Sequence, residues 1–264
     1  MAVTAHFGSF PVVSGTPWRG VRYFCTTRQG GHSQPPFDTL NLATHVEDDA
    51  NVVAANRLAL AQAIGATPVW LEQVHGTAIF DADISKPDNV PPVADAAITS
   101  RANIALAIMT ADCLPVVIAD QAGRAVAVAH AGWRGLAGGV LEKTVQALQC
   151  RLPADAQLRA WIGPAITQAV FEVGADVYEA FCDADPLSAA FFVLHAPNGV
   201  TNSKWLADLS GLARFRLAQA GVRYIECSGW CTFRQPDLFF SYRRNAQTGR
   251  MATLAWLEPA SDLP

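Results

Sequence analysis

Long apolar runs are scarce in this 264-residue chain, and none would cross a bilayer: the most apolar region, 104–118, is broken by Asp112 and Pro115. The opening residues, MAVTAHFGSFPVVSG, lack the basic start and unbroken apolar centre of a secretory signal. A cytoplasmic protein without a membrane partner is therefore expected. Basic runs are as short, none longer than Arg243-Arg244, and 19 basic against 23 acidic side chains leave a formal net charge of −4. That balance argues against nucleic acid as a partner and for a small molecule. Linkers and low-complexity tracts are missing too, so one domain over 1–264 is expected, acting as a monomer or weak homodimer. Several enzyme signatures are absent: no Gly-Lys-Ser/Thr phosphate loop, no Gly-x-Gly-x-x-Gly after a strand, no Gly-x-Ser-x-Gly and no His-Glu-x-x-His.

What is present is 51% hydrophobic residues in short runs rich in β-branched side chains. Strands are expected at 22–27, 69–74, 104–110, 115–119, 125–130, 157–162, 222–227 and 252–257. The pair flanking Gln121-Ala122-Gly123 reads as an antiparallel hairpin. Helical periodicity marks Val53, Leu60 and Ile64, then Leu141, Val145 and Leu148, then Leu206, Leu209, Ala213 and Leu217. The expected class is α+β (mixed α/β), a single layered domain with mixed sheets.

Polar residues at the ends of apolar runs are where a buried strand surfaces and presents a side chain to a cleft. Three such places carry chemistry: Gln73-Val74-His75-Gly76, the stretch from Thr110 through Asp112 and Cys113 to Pro115, and His130-Ala131-Gly132-Trp133-Arg134-Gly135. Singly, each has an ordinary explanation: a core histidine, an inert buried thiol, a glycine-rich turn. Together, two imidazoles and a thiolate form a borderline-soft set suited to Zn²⁺, and three protein ligands leave the fourth tetrahedral position open. Their separations of 38 and 17 residues are not a zinc-finger spacing. The six cysteines, without a secretory signal, read as reduced thiols, and Cys227 and Cys231 form a C-x-x-x-C pair with metal binding and packing as its two readings. Glycines 132, 135, 138 and 139, with Arg134, are expected to favour an anion such as phosphate at the turn into the next helix.

The motifs HAGWRG (130–135), QVHG (73–76), TADCLPV (110–116), IGPAI (162–166), FEVG (171–174), and FFSYRR with TGRM between 239 and 251 follow one another in order. In this the chain resembles the YfiH family, also called the laccase-domain or polyphenol oxidase family. The resemblance runs from Thr27-Arg28-Gln29-Gly30-Gly31 and Asn41-Leu42 to Trp256, with one departure at His32, where the family carries Val or a small residue. It implies a zinc ion on His75, Cys113 and His130, a layered α/β/β/α fold, and phosphorolysis of adenosine, inosine and 5′-methylthioadenosine with an adenosine deaminase side activity.

For that chemistry a phosphate must meet C1′ of a ribose with oxocarbenium character, which calls for cations; Arg28, Arg134 and Arg243 are the candidates, with Asn41 and Glu172 as further substrate contacts. Catalytic roles are expected for Cys113, His75, His130 and Asp112, with Asp112 and Glu172 as acid/base candidates. The rival is a thiol hydrolase acting on an amide of a cell-wall precursor, with Cys113 as nucleophile and a histidine as base. A zinc-stabilised binding module fits an open ligand set poorly. Cu²⁺ is a less favoured occupant than Zn²⁺, because multicopper oxidases rely on His-x-His pairs and the six histidines here form none.

Overall fold

A computed structural model describes residues 4–84, 90–195 and 204–259; the outermost ends of the expected 1–264 unit lie outside the described residues. Two six-stranded mixed sheets lie face to face. The first runs β1 (Thr4–Phe7), β2 (Phe10–Val13), β3 (Val21–Thr26), β15 (Met251–Leu257), β7 (Ala105–Thr110) and β4 (Pro68–Val69), antiparallel except for the final pair. The second runs β14 (Tyr224–Cys227), β10 (Leu158–Ile162), β8 (Leu114–Asp120), β9 (Val126–Ala131), β6 (Ala96–Thr99) and β5 (Ile79–Asp81), parallel only at its two edges. A small antiparallel sheet of β11 (Glu172–Val173), β13 (Lys204–Ala207) and β12 (Phe192–His195) stands beside them.

Alternation along the strands builds the layers. On β7, Leu106 and Ile108 point between the sheets while Ala105 and Ala107 face outward. On β8, Val117 and Ala119 point between the sheets while Val116 and Ile118 face the helices. Because both faces are covered, these strands read as nearly unbroken apolar runs rather than as alternating ones. Helix α1 (Ala50–Ile64) covers the first sheet through Leu60. The second is covered by α3 (Val140–Gln149), α4 (Ala175–Cys182) and α5 (Leu209–Gln219), after the single turn α2 (Trp133–Ala137). The order is therefore helix, sheet, sheet, helices, in the expected mixed α/β class.

Two boundaries differ from expectation for identifiable reasons. Leu206 belongs to β13, because Asp208 caps α5 by accepting from the Gly211 amide at 2.9 Å and so starts the helix after it. The expected strand at 69–74 stops at Val69. Beyond it the Gln73 side chain replaces the backbone ladder, donating to the Met109 carbonyl at 2.8 Å and accepting from the Met109 amide at 2.7 Å. The main chain is thereby released to turn at His75.

Gln73→Leu removes both partners of the Met109 backbone and is expected to destabilise the fold by about 2 kcal/mol, each unmet group costing roughly 1–3 kcal/mol. Denaturant midpoints at constant m-value are the check.

Candidate active site and metal centre

β7 ends the first sheet at Thr110 and β8 opens the second at Leu114, so residues 111–113 carry the chain across the seam between the sheets. Asp112 bends this link with φ 93°, and His75 takes φ 59°, both in the left-handed region that non-glycine residues rarely occupy. The two bends aim Cys113 and His75 at His130, which lies in β9. The ligand atoms of His75, Cys113 and His130 all lie within 4.8 Å of one another, the one group of this kind among the described residues. Cys113 Sγ stands 3.7 Å from His75 Nε2. Tetrahedral bonds of roughly 2.0–2.3 Å to one ion would set such atoms about 3.6 Å apart, so donor chemistry and spacing both fit a zinc-type ion.

Asp95 holds this group together. Its fully buried carboxylate accepts from the amides of Val74, His75 and Gly76 at 3.2, 2.9 and 2.6 Å, and pairs with His130 Nδ1 at 2.8 Å. Burial would raise the Asp95 carboxyl; the His130 hydrogen bond and charge and the amides of Gly76 and Val74 outweigh it and hold it below its usual range. With Nδ1 engaged, the other ring nitrogen of His130 faces the ligand position. Burial would likewise raise the Cys113 thiol, but the charge of His130 and hydrogen bonds from both histidines bring it down to about 6. His130, which burial alone would lower, is pushed up to about 9 by the Cys113 thiolate and Asp95.

The glycine-rich turn serves close approach. A Cβ at Gly132 would stand 2.7 Å from His75 Cδ2 and 3.1 Å from Cys113 Sγ, and one at Gly135 would stand 2.8 Å from the Gly76 carbonyl. These glycines let the turn pack onto His75, Cys113 and the Gly76 carbonyl. Close packing on the site thus accounts for Gly132 and Gly135, while a Cβ at Gly139 would meet only Glu142 Oε2, at 3.7 Å.

A cavity of about 400 Å³ opens from the group, with Trp133, Ile166, Phe171, Leu209 and Tyr242 as an apolar and aromatic wall and His45, Arg243 and Arg250 as its basic members. Of the three guanidiniums singled out, only Arg243 lines it; this one donates to the Glu172 carbonyl at 2.9 Å and lies over the Phe171 ring. Arg28 lines a different cleft, paired with Asp38 at 2.9 Å and held to the Asp38 and Pro236 carbonyls. Arg134 is exposed and stacks on Trp133. Asn41 is fully buried, accepting from the amides of Ala43 and Arg250 and donating to Asp48, so it braces a loop and does not reach the cavity. The Glu172 carboxylate pairs with His195 at 2.8 Å and is not among the lining groups. Asp112 lines the cavity, but its carboxylate is engaged by Thr232, Ser241 and the Arg243 amide at 2.6, 3.0 and 2.7 Å, which fixes the 241–243 segment. Residue-type reasoning missed Asp95 and Arg250. The first sits in an unremarkable apolar strand start, and the second lies inside the TGRM motif, where its arginine went unweighed.

Fold and site together define a mixed α/β protein with an open His-Cys-His centre at a sheet seam. The family described as "Multi-copper polyphenol oxidoreductase laccase" matches residues 22–258, and the chain belongs to this family, the YfiH family. A Pseudomonas aeruginosa protein named purine nucleoside phosphorylase is 46% identical over 238 residues, covering 90% of this chain and 94% of the relative. The Escherichia coli protein named purine nucleoside phosphorylase YfiH is 45% identical over 244 residues, covering 90% and 95%. A crystal structure of a Neisseria meningitidis protein superposes with a TM-score of 0.87 at 43% identity, covering 96% of this chain and all of that one.

Two outcomes follow from this geometry. Asp95→Asn keeps the shape but weakens the hold on His130, and zinc affinity, measured by competition with a chelator, should fall roughly 10–100-fold. In metal-free protein, alkylation of Cys113 should follow a pH profile with its midpoint near 6, since the thiolate persists down to that pH. His130→Ala removes the main opposing charge and should return the midpoint toward the ordinary thiol value of about 8.5.

Proposed function

We propose that the protein is a zinc-dependent purine nucleoside phosphorylase that cleaves adenosine, inosine and 5′-methylthioadenosine with phosphate, has an adenosine deaminase side activity, and works in the cytoplasm. The observation carrying this reading is the meeting, in one cavity, of the His75-Cys113-His130 group, an aromatic wall and unshared cationic side chains. The names of relatives at 40–46% identity support the purine nucleoside phosphorylase part of this reading.

His75, Cys113 and His130 would hold the ion, and an ion bound there would supply a Lewis acid that polarises an oxygen. The chain's own groups do the rest. Trp133, Phe171 and Tyr242 offer faces and edges against which a purine packs, and Ile166 and Leu209 keep water from that side. In phosphorolysis a phosphate oxygen bonds to C1′ as the C1′–N9 bond breaks, the bonding pair leaves with the purine, and a proton is taken up by the purine. Cationic side chains on the cavity wall oppose the phosphate's charge while it approaches. Asp112, engaged three times over, acts by positioning the Arg243 segment and not as a proton carrier.

Incubating zinc-loaded protein with adenosine, with and without phosphate, is the test. Adenine and ribose 1-phosphate formed only with phosphate are expected; inosine alone would leave just the deaminase. The competing thiol-hydrolase chemistry is separated by alkylation. A ligated Cys113 should react slowly in zinc-loaded protein and faster after chelation, and Cys113→Asp should keep measurable zinc. Rapid stoichiometric alkylation of the zinc-loaded protein would favour the hydrolase.

A further inference from the structure

Three of the part-buried guanidiniums meet a carboxylate: Arg28 pairs with Asp38, Arg151 with Asp81 and Asp83, and Arg216 with Glu142. Arg57, Arg159, Arg244 and Arg250 are part-buried and form no ion pair among the described residues; Arg244 is engaged by the carbonyls of Thr232, Phe233 and Phe239, Arg159 lies over Trp18, and neither of these two lines the cavity. Arg57, on α1, donates to the Leu42 carbonyl at 2.8 Å and to Met109 Sδ at 3.6 Å, and lies 4.2 Å over the Trp70 ring. Arg250 gives Nη1 to the carbonyls of Thr248 and Gly249 at 2.9 and 3.1 Å, leaving Nε and Nη2 without a partner among the described residues. A guanidinium partly withdrawn from water without a direct ion pair keeps part of its charge unanswered.

The two arginines converge on one wall of the cavity. Arg250 and Met109, the sulfur that Arg57 touches, both line it, and so does His45. The His45 ring makes no hydrogen bond among the described residues; burial, then the charges of Arg250 and Arg57, hold its imidazole below the ordinary value. Arg250 is close enough to Cys113 and Asp112 to feel their charges. Its backbone is fixed by Asn41, which accepts the Arg250 amide at 3.0 Å, and by Leu42, which donates to the Arg250 carbonyl at 3.3 Å. The loop bearing His45 is thus tied to the strand start bearing Arg250, with open donors toward the cavity. A planar guanidinium with free N–H groups beside an imidazole matches a tetrahedral oxyanion.

We infer that His45 and Arg250, backed by Arg57, form the phosphate subsite of the cavity, with Asn41 as a positioning residue that holds the two together. The inference rests on the phosphorylase reading for its ligand and assigns it to residues distinct from the glycine-rich turn and from Arg28, Arg134 and Arg243. Inorganic phosphate and the phosphate of a nucleotide share this chemistry, and the free anion is the one assigned.

The test titrates inorganic phosphate into zinc-loaded wild type, Arg250→Met and His45→Gln by calorimetry, and measures KM for phosphate and for adenosine in parallel. Arg250→Met should weaken phosphate binding and raise its KM roughly tenfold or more, the size of a lost charge-assisted hydrogen bond, and His45→Gln roughly threefold. The adenosine KM and zinc content should stay within about twofold. Because the His45 ring makes no hydrogen bond within the described fold, His45→Gln decides the matter even if Arg250→Met folds poorly. Unchanged phosphate affinity and KM in both variants would overturn the subsite while leaving phosphorolysis standing. Phosphate binding that both variants weaken, without any phosphate-dependent release of adenine, would uphold the subsite and overturn the phosphorylase reading. Binding of adenosine 5′-monophosphate that depends on Arg250, with no binding of inorganic phosphate, would overturn the assignment to the free anion.

Discussion

A single buried carboxylate organises the site. Asp95 accepts three consecutive backbone amides from 74–76 and the Nδ1 of His130, and the backbone pairing of β6 with β9 sets it next to that histidine, whose amide donates to the Asp95 carbonyl at 2.7 Å. One charge therefore fixes the left-handed turn at His75 and the ring orientation of His130 at the same time. An anion so deeply withdrawn from water is tolerable only because every direction around it is met by a donor. Remove that carboxylate and the three amides lose their common target, so the hydrogen bonds that hold His75 in its left-handed turn are gone.

The arrangement also explains why the same three side chains invite two chemical readings. An imidazole held cationic by a buried carboxylate lowers a neighbouring thiol, whether that thiol is to ligate a metal or to attack a carbonyl. What distinguishes the two here is the second histidine. Separated from the sulfur by about the edge of a coordination tetrahedron, His75 completes a three-point donor set, whereas a thiol nucleophile needs one base. The cavity joins an aromatic wall of Trp133, Phe171 and Tyr242 to the basic side chains of Arg243 and Arg250.

Much of this was legible in the sequence because buried strands and their exits are written in composition. The runs at 104–110 and 115–119 became β7 and β8, the hairpin at 121–123 joins β8 to β9, and the three ligand-bearing stretches converge as residue types and strand ends implied. What stayed hidden depends on partners distant in the chain. Gln73 looked like a residue within the 69–74 strand because its substitution for backbone pairing needs Met109, 36 residues away. Asp95 gave no signal, since an aspartate ahead of a short apolar strand is common and its four donors come from elsewhere. Arg28 and Arg250 are indistinguishable by type; only the ion pair that Asp38 makes with one, and the absence of an ion pair on the other among the described residues, tells them apart.

The link at 111–113 passes from one sheet to the other, His75 follows the edge strand of the first sheet, and His130 rides on the second. An ion gripped by all three is consequently a cross-link between layers, not an ornament at the rim. It cannot find the same three donors in an unfolded chain, so whatever free energy it gains on binding is added to the docking of the sheets. If a metal binds there, its supply would govern more than the fraction competent for chemistry: it would also add to the stability of the folded protein.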